Sequence, residues 1–290
     1  MLRASGAEAL LLSELDVGMA RSQQRHTARE LALRLGLGFA FGVEFLELGL
    51  GNAAERERSA GEENAVGYHG GAVASARPLE RPVLVRLDAG GDWFDGRRGE
   101  RRVGGRIAVL ATLRVAGAPV TLASVHLESH GDPGLRDAQM AALLEALDAY
   151  APGAPALIGG DVNTHSLGSK ELEDRDALAR ALRADPSRLA EPVAYEPLFA
   201  RLEDAGFERR ACNAGLPTER RRGEEGSRRG TLRLDWFFAR GLDCSAPEVL
   251  AALDPATGEA LSDHEAIAVT IRPLRPGSAP SRERGRNSGL

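Results

Sequence analysis

The chain has 290 residues and a mass of 30.8 kDa, with 43% hydrophobic and 27% charged residues. This composition excludes a disordered or collagen-like chain, and no apolar run approaches the ~20 residues that cross a membrane. The net charge of −5 argues against a protein that binds nucleic acid through overall positive charge, although a locally basic groove stays open. The two cysteines, Cys212 and Cys244, are too few for a disulfide framework, and no cysteine or histidine spacing indicates a zinc site.

The N-terminus shows no basic segment followed by an apolar stretch and a small-residue cleavage site, so no signal peptide is visible. The chain instead enters an apolar strand almost at once, at residues 9–16. We therefore expect a cytoplasmic protein for the chain as given, with secretion open if an upstream N-terminal extension exists.

Short apolar runs predict buried strands at residues 9–12, 83–87, 107–115, 120–126, 156–158, 232–239 and 266–271. Helical patterns lie between them at residues 22–35, 134–149 and 197–205. This alternation predicts an α/β or α+β domain. The pattern alone does not distinguish a sandwich of two sheets from a doubly wound sheet.

Three charged stretches that contain glycine, at residues 53–66, 97–106 and 219–230, are predicted to be exposed loops. Residues 273–290 are rich in Pro, Gly, Ser and Arg and are predicted to be a disordered tail. No internal repeat is present. We therefore expect one domain at residues 1–272, and a monomer.

Polar side chains that can bind metal ions cluster at the ends of several predicted strands. They comprise Glu14 and Asp16, then His126, Glu128 and His130, then Asp161, Asn163 and His165, and finally the pair Asp263 and His264, which precedes the last strand. Asp235 lies inside the apolar run Leu-Asp-Trp-Phe-Phe. Because a buried carboxylate without a partner is costly, we expect Asp235 to be paired, metal-bound or at the rim of an active site.

Each of these residues also has a structural alternative. Glu14 could be a surface carboxylate, and Asp161 with Asn163 could form an Asx turn after the two glycines. His126 could be an ordinary polar residue at a strand end, and the Asp-His pair could simply start the last strand. Their occurrence together, in one order along the chain, favours a shared functional site.

That order resembles the endonuclease/exonuclease/phosphatase superfamily, to which deoxyribonucleases belong. The resemblance covers about residues 9–272 and is carried by Ser-Glu-Leu-Asp, Ser-Val-His-Leu-Glu, Gly-Gly-Asp-Val-Asn, Leu-Asp-Trp and Leu-Ser-Asp-His. Residues 68–75 look like the family's Gly-Asn-Ala-Ile-Leu-Ser-Arg strand, but they depart from it at Gly71 and Ala76. A plain glycine-rich turn into a strand is the alternative for this segment.

The resemblance implies a four-layer sandwich in which two mixed β-sheets pack face to face, helices lie outside, and the active site lies at one end. Family members usually begin with a strand that ends in Asn. This sequence starts just before the strand that carries Glu14, so the first family strand is predicted to be missing. One sheet would then expose unpaired backbone and apolar surface.

The resemblance also implies hydrolysis of a phosphodiester or phosphomonoester bond with Mg²⁺ or Mn²⁺. Carried over by motif, Glu14 would be a metal ligand and Asp263 a second carboxylate on the metal side. Hard oxygen ligands without cysteine favour these ions over zinc. A divalent cation neutralises the phosphate charge that repels an anionic nucleophile.

The remaining roles implied by the resemblance are catalytic. Asp161 would orient or activate the attacking water, and Asn163 would hold a phosphate oxygen. His126 would bind the phosphate or lie near the leaving group. His264 would be the general base or a phosphate binder, and Asp235 would orient it. Pairing with a carboxylate fixes the imidazole tautomer and raises its basicity.

The substrate is less specified by the sequence. A small phosphoester (a nucleotide, inositol phosphate or lipid head group) ranks slightly ahead of DNA or RNA, because phosphate-backbone binding needs clustered positive charge and the Arg-rich stretch 219–230 also carries glutamates. Arg136 and Gln139 are predicted to organise the loop after His126. The alternatives are a nuclease, and a catalytically impaired, truncated member that serves as a binding module.

Overall fold

The computed structural model describes residues 1–88, 93–96, 99–166, 176, 180, 183–185, 191–219 and 232–274. Residues 275–290 of the predicted C-terminal tail and most of the Arg-rich stretch therefore lie outside the described residues, whereas Pro273, predicted as part of the tail, ends the last strand. The strands are β1 (Ala9–Val17), β2 (Gly38–Glu47), β3 (Tyr68–Ser75), β4 (Glu80–Arg86), β5 (Arg102–Gly104), β6 (Ile107–Val115), β7 (Ala118–His126), β8 (Ala156–Asp161), β9 (Asp235–Arg240), β10 (Leu242–Leu250) and β11 (Ala266–Pro273). The helices are α1 (Leu2–Ser5), α2 (Thr27–Leu35), α3 (Ala53–Arg58), α4 (Pro133–Tyr150) and α5 (Leu198–Asp204).

The described strands form two large sheets and a two-stranded ribbon. Sheet A has the order β1-β3-β2-β5 and is antiparallel throughout. Sheet B has the order β4-β6-β7-β8-β9 and is mixed, because β7 and β8 run parallel while its other pairs are antiparallel. β10 and β11 form the ribbon. The apolar runs predicted as strands all fall on strands of the structure, whereas β2, β5 and β10 were not predicted.

Helices cover the outer faces of both sheets. The apolar face of α2 packs on sheet A, where buried Ala28 contacts Leu15 and Ala72. On the far side, α4 and α5 cover sheet B with a cluster of buried apolar side chains; these include Met140, Leu143, Ile158, Phe199 and Phe238. Fully burying one such large apolar side chain contributes about 1.5–3 kcal/mol.

A second apolar cluster joins the two sheets to each other. Val73 of sheet A packs there against Ile107, Leu122 and Leu157 of sheet B. The order of layers is therefore helix, sheet, sheet, helix, which confirms the four-layer sandwich. In the described part of the chain, every helix is too short or too polar to cross a bilayer.

One edge of sheet A is open. β1 stands at that edge with β3 as its one strand partner among the described residues, and β11 likewise pairs with β10 alone. Residues of β1 and β11 line a common cavity of about 460 Å³ whose walls include Leu10, Leu12, Phe237, Ile267 and Val269. β1 is thus an edge strand of sheet A in the described part of the chain, with apolar side chains beside its open edge.

Candidate active site

Three of the predicted site residues lie in one row across sheet B. His126 in β7 is paired with Asp161 in β8, and Asp161 is paired with Asp235 in β9. Residues directly opposite each other on neighbouring strands project from the same face, so the three side chains point to one place. Gly160, directly before Asp161, allows β7 and β8 to lie close together at this row. Its φ is +143°, and a Cβ at this position would lie 2.0 Å from the Val125 carbonyl oxygen.

His264, just before β11, joins this row. Its Nδ1 lies 2.8 Å from Asp235 Oδ2, and the ligand atoms of Asp161, Asp235 and His264 all lie within 4.8 Å of one another. Burial and the negative charge of Asp235 raise the pKa of Asp161 to about 6. Burial opposes protonation of His264, but the hydrogen bond to Asp235 and the charge of Asp161 raise its pKa to about 10. His264 is therefore positively charged at neutral pH.

Asn163 fixes the carboxylate of Asp161. Its backbone N–H donates to Asp161 Oδ1 (2.9 Å), and its side-chain Nδ2 donates to Asp161 Oδ2 (3.2 Å) and to the Leu127 carbonyl oxygen (2.9 Å). The first bond closes the Asx turn that the sequence offered as a structural alternative. Both amide hydrogens of Asn163 are thus used within the protein, and the backbone N–H together with one of them holds Asp161 in one orientation.

Sheet A contributes its carboxylates through two bulges. In β1, Ser13 and Glu14 both lie opposite the single residue Gly71 of β3. In β2, Glu44 is the extra residue between Val43 and Phe45, where the register with β3 shifts. A bulge re-aims the extra side chain and is frequent beside active sites. The Gly-Gly pair in β3 therefore belongs to a strand and not to a plain turn.

Glu14 is exposed to solvent and adopts a φ of +56° at its bulge. Loss of hydration opposes its ionisation, but the positive charges of His126, His69 and His264 hold its pKa below the ordinary value. Glu14 is thus within electrostatic reach of the residues of sheet B. Asp263 is also exposed and lies outside the group formed by Asp161 and its neighbours, although its charge helps to raise the pKa of His264.

A buried network that the sequence analysis missed surrounds His126. Arg106 is 2% exposed; its Nη1 donates to Glu44 Oε1 (2.5 Å) and its Nε donates to Glu128 Oε2 (3.2 Å). Arg106 Nη1 also lies 3.1 Å from His126 Nδ1, and Glu44 Oε2 lies 3.3 Å from the same nitrogen. The prediction of an exposed loop at residues 97–106 is wrong at its end, because Arg102 and Arg106 are buried.

Two patterns in the sequence could have identified this network. Glu44 lies in the apolar run Phe-Gly-Val-Glu-Phe-Leu, and Arg106 stands directly before the apolar strand Ile-Ala-Val-Leu. A charge in an apolar run needs a buried partner, which is the argument that singled out Asp235. Burial opposes ionisation of Glu44, but the charges of His126 and Arg106 lower its pKa to about 2.

Arg136 and Gln139 of α4 hold the loop after β7 in place, as predicted. Both side chains are buried in α4. Arg136 Nη1 donates to the Gly131 carbonyl oxygen (2.8 Å) and Nη2 donates to Glu196 Oε1 (2.6 Å), while Gln139 Oε1 accepts from the backbone N–H of Glu128 (3.0 Å). These residues organise the loop and have no direct part in the site.

The donor set suits a hard divalent cation. Glu14, Asp161 and Asp235 offer carboxylate oxygens, and no cysteine is among the clustered residues. Burial and the adjacent carboxylate of Asp235 together raise the pKa of Asp161 at the end of sheet B. A cation between like charges of this kind would relieve their repulsion.

Comparisons with known proteins agree with this architecture. The model of the Endonuclease/Exonuclease/phosphatase family, whose hydrolases act on phosphoester bonds, matches residues 1–264. No curated protein matched the sequence. Eight solved structures that resemble the fold are 13–20% identical in sequence, so each of them supports the fold alone.

Three of these structures illustrate the likeness. An endonuclease/exonuclease/phosphatase from Beutenbergia cavernae has a TM-score of 0.59 at 20% identity, with 94% of this chain and 64% of that chain covered, so this chain spans less than two thirds of that relative. A functionally unknown conserved protein from Enterococcus faecalis has a TM-score of 0.60 at 14% identity (94% and 88% covered). TDP2 from Caenorhabditis elegans has a TM-score of 0.53 at 16% identity (93% and 66% covered). With the family match over most of its length and this four-layer fold, the chain belongs to the Endonuclease/Exonuclease/phosphatase family.

Proposed function

We propose that this protein is a Mg²⁺- or Mn²⁺-dependent phosphoesterase that hydrolyses a phosphodiester or phosphomonoester bond by in-line attack of an activated water. The observation that carries the proposal is the convergence of Asp161, Asp235 and His264 within 4.8 Å at the end of sheet B. The lowered pKa of Glu14 adds support, because charged groups at the end of sheet B contribute to the shift, which indicates that the bulge of sheet A lies near them. Groups with strongly perturbed ionisation concentrate at functional sites.

The proposed metal ligands are Glu14 and the facing carboxylate of Asp161 or Asp235. Asp263, predicted from its motif as a second ligand, remains a proposed ligand beside His264. A bound divalent cation would offset the negative charge of the phosphate and polarise the P–O bond.

Asp161 is the proposed acceptor of the proton from the attacking water. A general base works best when its pKa lies near the operating pH, and burial raises the pKa of Asp161 towards that range, which leaves Asp235 as the sheet B carboxylate for the cation. Asn163 donates to both carboxylate oxygens of Asp161 and would keep the accepting oxygen directed at the water. We therefore assign Asn163 to the orientation of Asp161 ahead of direct phosphate binding.

The two histidines are the proposed donors to phosphate oxygens. His264 was open to two roles, general base or phosphate binder. Its pKa of about 10 favours the second, since a charged imidazolium donates and does not accept. Glu44 Oε2 lies 3.3 Å from His126 Nδ1, while His126 Nε2 lies 3.2 Å from Arg106 Nη1 and 3.8 Å from Asp161 Oδ2. His126 is thus proposed to donate to the phosphate or to the leaving-group oxygen.

A small phosphoester remains the favoured substrate over DNA or RNA, because the chain carries a net charge of −5. The arginines of the stretch 219–230 could border the site, but residues 220–230 lie outside the described chain. A nuclease is the second candidate, and nicking of plasmid DNA that weakens steeply with salt would distinguish it. Absence of nicking at low salt would dismiss it.

The direct test is hydrolysis of bis(p-nitrophenyl) phosphate with Mg²⁺ or Mn²⁺. We expect metal-dependent activity in the wild type and a loss of roughly 10²–10⁴-fold in Asp161→Ala and His264→Ala. Glu80→Gln, at an exposed residue of β4, should keep full activity. Equal activity in all four proteins would reject the site. A wild type that binds Mn²⁺ without hydrolysis would favour the binding module.

A further inference from the structure

A second histidine–carboxylate pair lies on sheet A, next to the two bulges. His69 in β3 is paired with Asp16 in β1 and with Phe45 in β2. Its Nδ1 lies 2.9 Å from Asp16 Oδ1. His69 therefore adjoins both carboxylates that sheet A contributes, Glu14 two residues before Asp16 and Glu44 one residue before Phe45.

Arg21 fixes this histidine–carboxylate pair in one orientation. The guanidinium contacts Asp16 through two hydrogen bonds, Nε to Oδ2 (2.9 Å) and Nη2 to Oδ1 (2.8 Å), and its Nη1 donates to Glu55 Oε1 (3.2 Å). Burial opposes ionisation of Asp16, but the hydrogen bonds from His69 and Arg21 lower its pKa to about 2. Asp16 is thus a fixed anion, and the ring of His69 is fixed with it.

The other nitrogen of His69 is free within the described part of the chain. All contacts of the ring involve Nδ1, and Nε2 has no partner among the described residues. The side chain is 5% exposed, yet Nε2 is not among the enclosed atoms that lack a partner, so it keeps contact with solvent. His69 lies four residues before Val73 in β3, and side chains along a strand alternate between its two faces, so the ring projects from the face of sheet A that packs on sheet B.

We propose that His69 is a further substrate-contacting residue, whose Nε2–H donates to an anionic oxygen of the phosphoester on the sheet A side of Glu14. The inference rests on the proposed function and adds a contact by a residue to which the sequence motifs assigned no role. His264 with Asp235 occupies the sheet B side, so the two histidines would bracket the phosphate group from opposite sheets.

The hydrogen-bonding pattern supports a donor at Nε2. Arg21 Nη2 lies 3.0 Å and Asp16 Oδ1 lies 2.9 Å from His69 Nδ1, so this nitrogen can accept from Arg21 or donate to Asp16. In the first case the neutral ring carries its proton on Nε2, and an anionic ligand at Nε2 would select that tautomer. A ring protonated at both nitrogens, with Nδ1–H donating to Asp16, also presents Nε2–H. Both forms offer a buried, pre-oriented donor where the site needs to compensate negative charge.

Titration calorimetry with inorganic phosphate in the presence of Mg²⁺ tests the inference without relying on turnover. His69→Asn keeps a polar atom near Nδ1 for Asp16 but cannot reach the position of Nε2, and His69→Gln places an amide N–H closer to that position. We expect His69→Asn to weaken phosphate binding by about tenfold or more, and His69→Gln to recover part of that loss. The KM for bis(p-nitrophenyl) phosphate should rise in parallel, and kcat should change less.

His26→Gln is the matched control, since His26 caps α2 and packs against Phe39 and Phe41, outside the site. A purely structural role of His69 would lower the unfolding temperature of both His69 variants and leave phosphate affinity equal to that of the control, which would overturn the inference. If the wild type hydrolyses no phosphoester with either metal, the proposed function fails instead. Wild-type activity with unchanged phosphate binding in His69→Asn rejects the His69 contact alone.

Discussion

Sheet B and sheet A bring side chains to the site in different ways. In sheet B a regular register aligns His126, Asp161 and Asp235 in one row, so each residue occupies the position its strand dictates. In sheet A the register is broken twice, and the breaks place Glu14 and Glu44. Regular pairing aligns side chains reliably, but it also fixes the distances between them. A bulge can instead direct one carboxylate across the gap between two sheets.

Arg106 connects the two sheets, and its removal should have the largest effect on stability. Arg106→Met removes the guanidinium that the buried carboxylates of Glu44 and Glu128 share, which should cost about 3–5 kcal/mol of unfolding free energy. Urea unfolding measures the loss. Arg114→Met removes an arginine whose ion pair with Glu80 is exposed, and it should cost no more than about 1 kcal/mol. Similar losses in both variants would contradict a bridging role for Arg106.

The Glu14 bulge is expected to matter for catalysis and little for folding. Glu14→Gln removes the charge of an exposed side chain and should lower kcat on bis(p-nitrophenyl) phosphate about 100- to 1000-fold with an unchanged unfolding temperature. Glu8→Gln, at an exposed residue directly before β1, should leave kcat unchanged. If Glu14→Gln keeps wild-type activity, sheet A does not contribute a ligand through this bulge.

Gly70, which lies between the two bulges, allows β2 and β3 to approach each other closely. A Cβ at Gly70 would lie 1.9 Å from the Gly42 carbonyl oxygen, so Gly70→Ala must push β2 and β3 apart, at about 3 kcal/mol or more of unfolding free energy. At Gly38 in the same sheet, a Cβ would lie 3.8 Å from the Ser75 carbonyl oxygen. Gly38→Ala should therefore be well tolerated. Equal stabilities for the two variants would show that the strands adjust freely.

Acid stability should reveal the buried charge of Glu44. Its pKa is about 2 in the folded protein against an ordinary 4.5. A carboxyl with a lowered folded pKa adds stability above its unfolded pKa and loses it as the pH falls through the folded one. Between pH 5 and pH 2 the wild type should thus lose roughly 3 kcal/mol more than Glu44→Gln. Parallel pH profiles from urea titrations would argue against an ionised Glu44.

Asp263 should give the smallest effect. It is exposed and stands outside the group of Asp161, Asp235 and His264. Asp263→Asn should lower kcat by about tenfold, through the loss of one charge beside His264. The Mn²⁺ concentration that gives half-maximal activity would rise if Asp263 is also a ligand. An unchanged metal dependence would leave Glu14 and the sheet B carboxylates as the ligands.

The sequence predicted the residues of sheet B better than those of sheet A. Continuous apolar runs end at His126 and Asp161, and a regular strand carries such residues to a common edge without further information. Glu44 and Arg106 were missed, because their roles depend on a bulge and on a contact between residues 62 positions apart in the chain. The hydrophobic periodicity of a single segment reveals neither the bulge nor the long-range contact.

The fold was likewise predictable in part. The four-layer arrangement came from the resemblance to the family, since strand and helix patterns do not fix which sheet a strand joins. β2 contains alternating glycine and aromatic residues, and β10 is half exposed, so neither has the continuous apolar run of a buried strand. The metal-side role given to Asp263 came from motif order, whereas strand register places Asp235 beside Asp161.

The central claim is that one divalent cation is held jointly by both sheets. Anomalous diffraction from crystals grown with Mn²⁺ tests it most directly. We expect a single strong peak between the carboxylate of Glu14 and those of Asp161 and Asp235. A peak bound by one sheet alone, or no peak near these residues at saturating Mn²⁺, would contradict it.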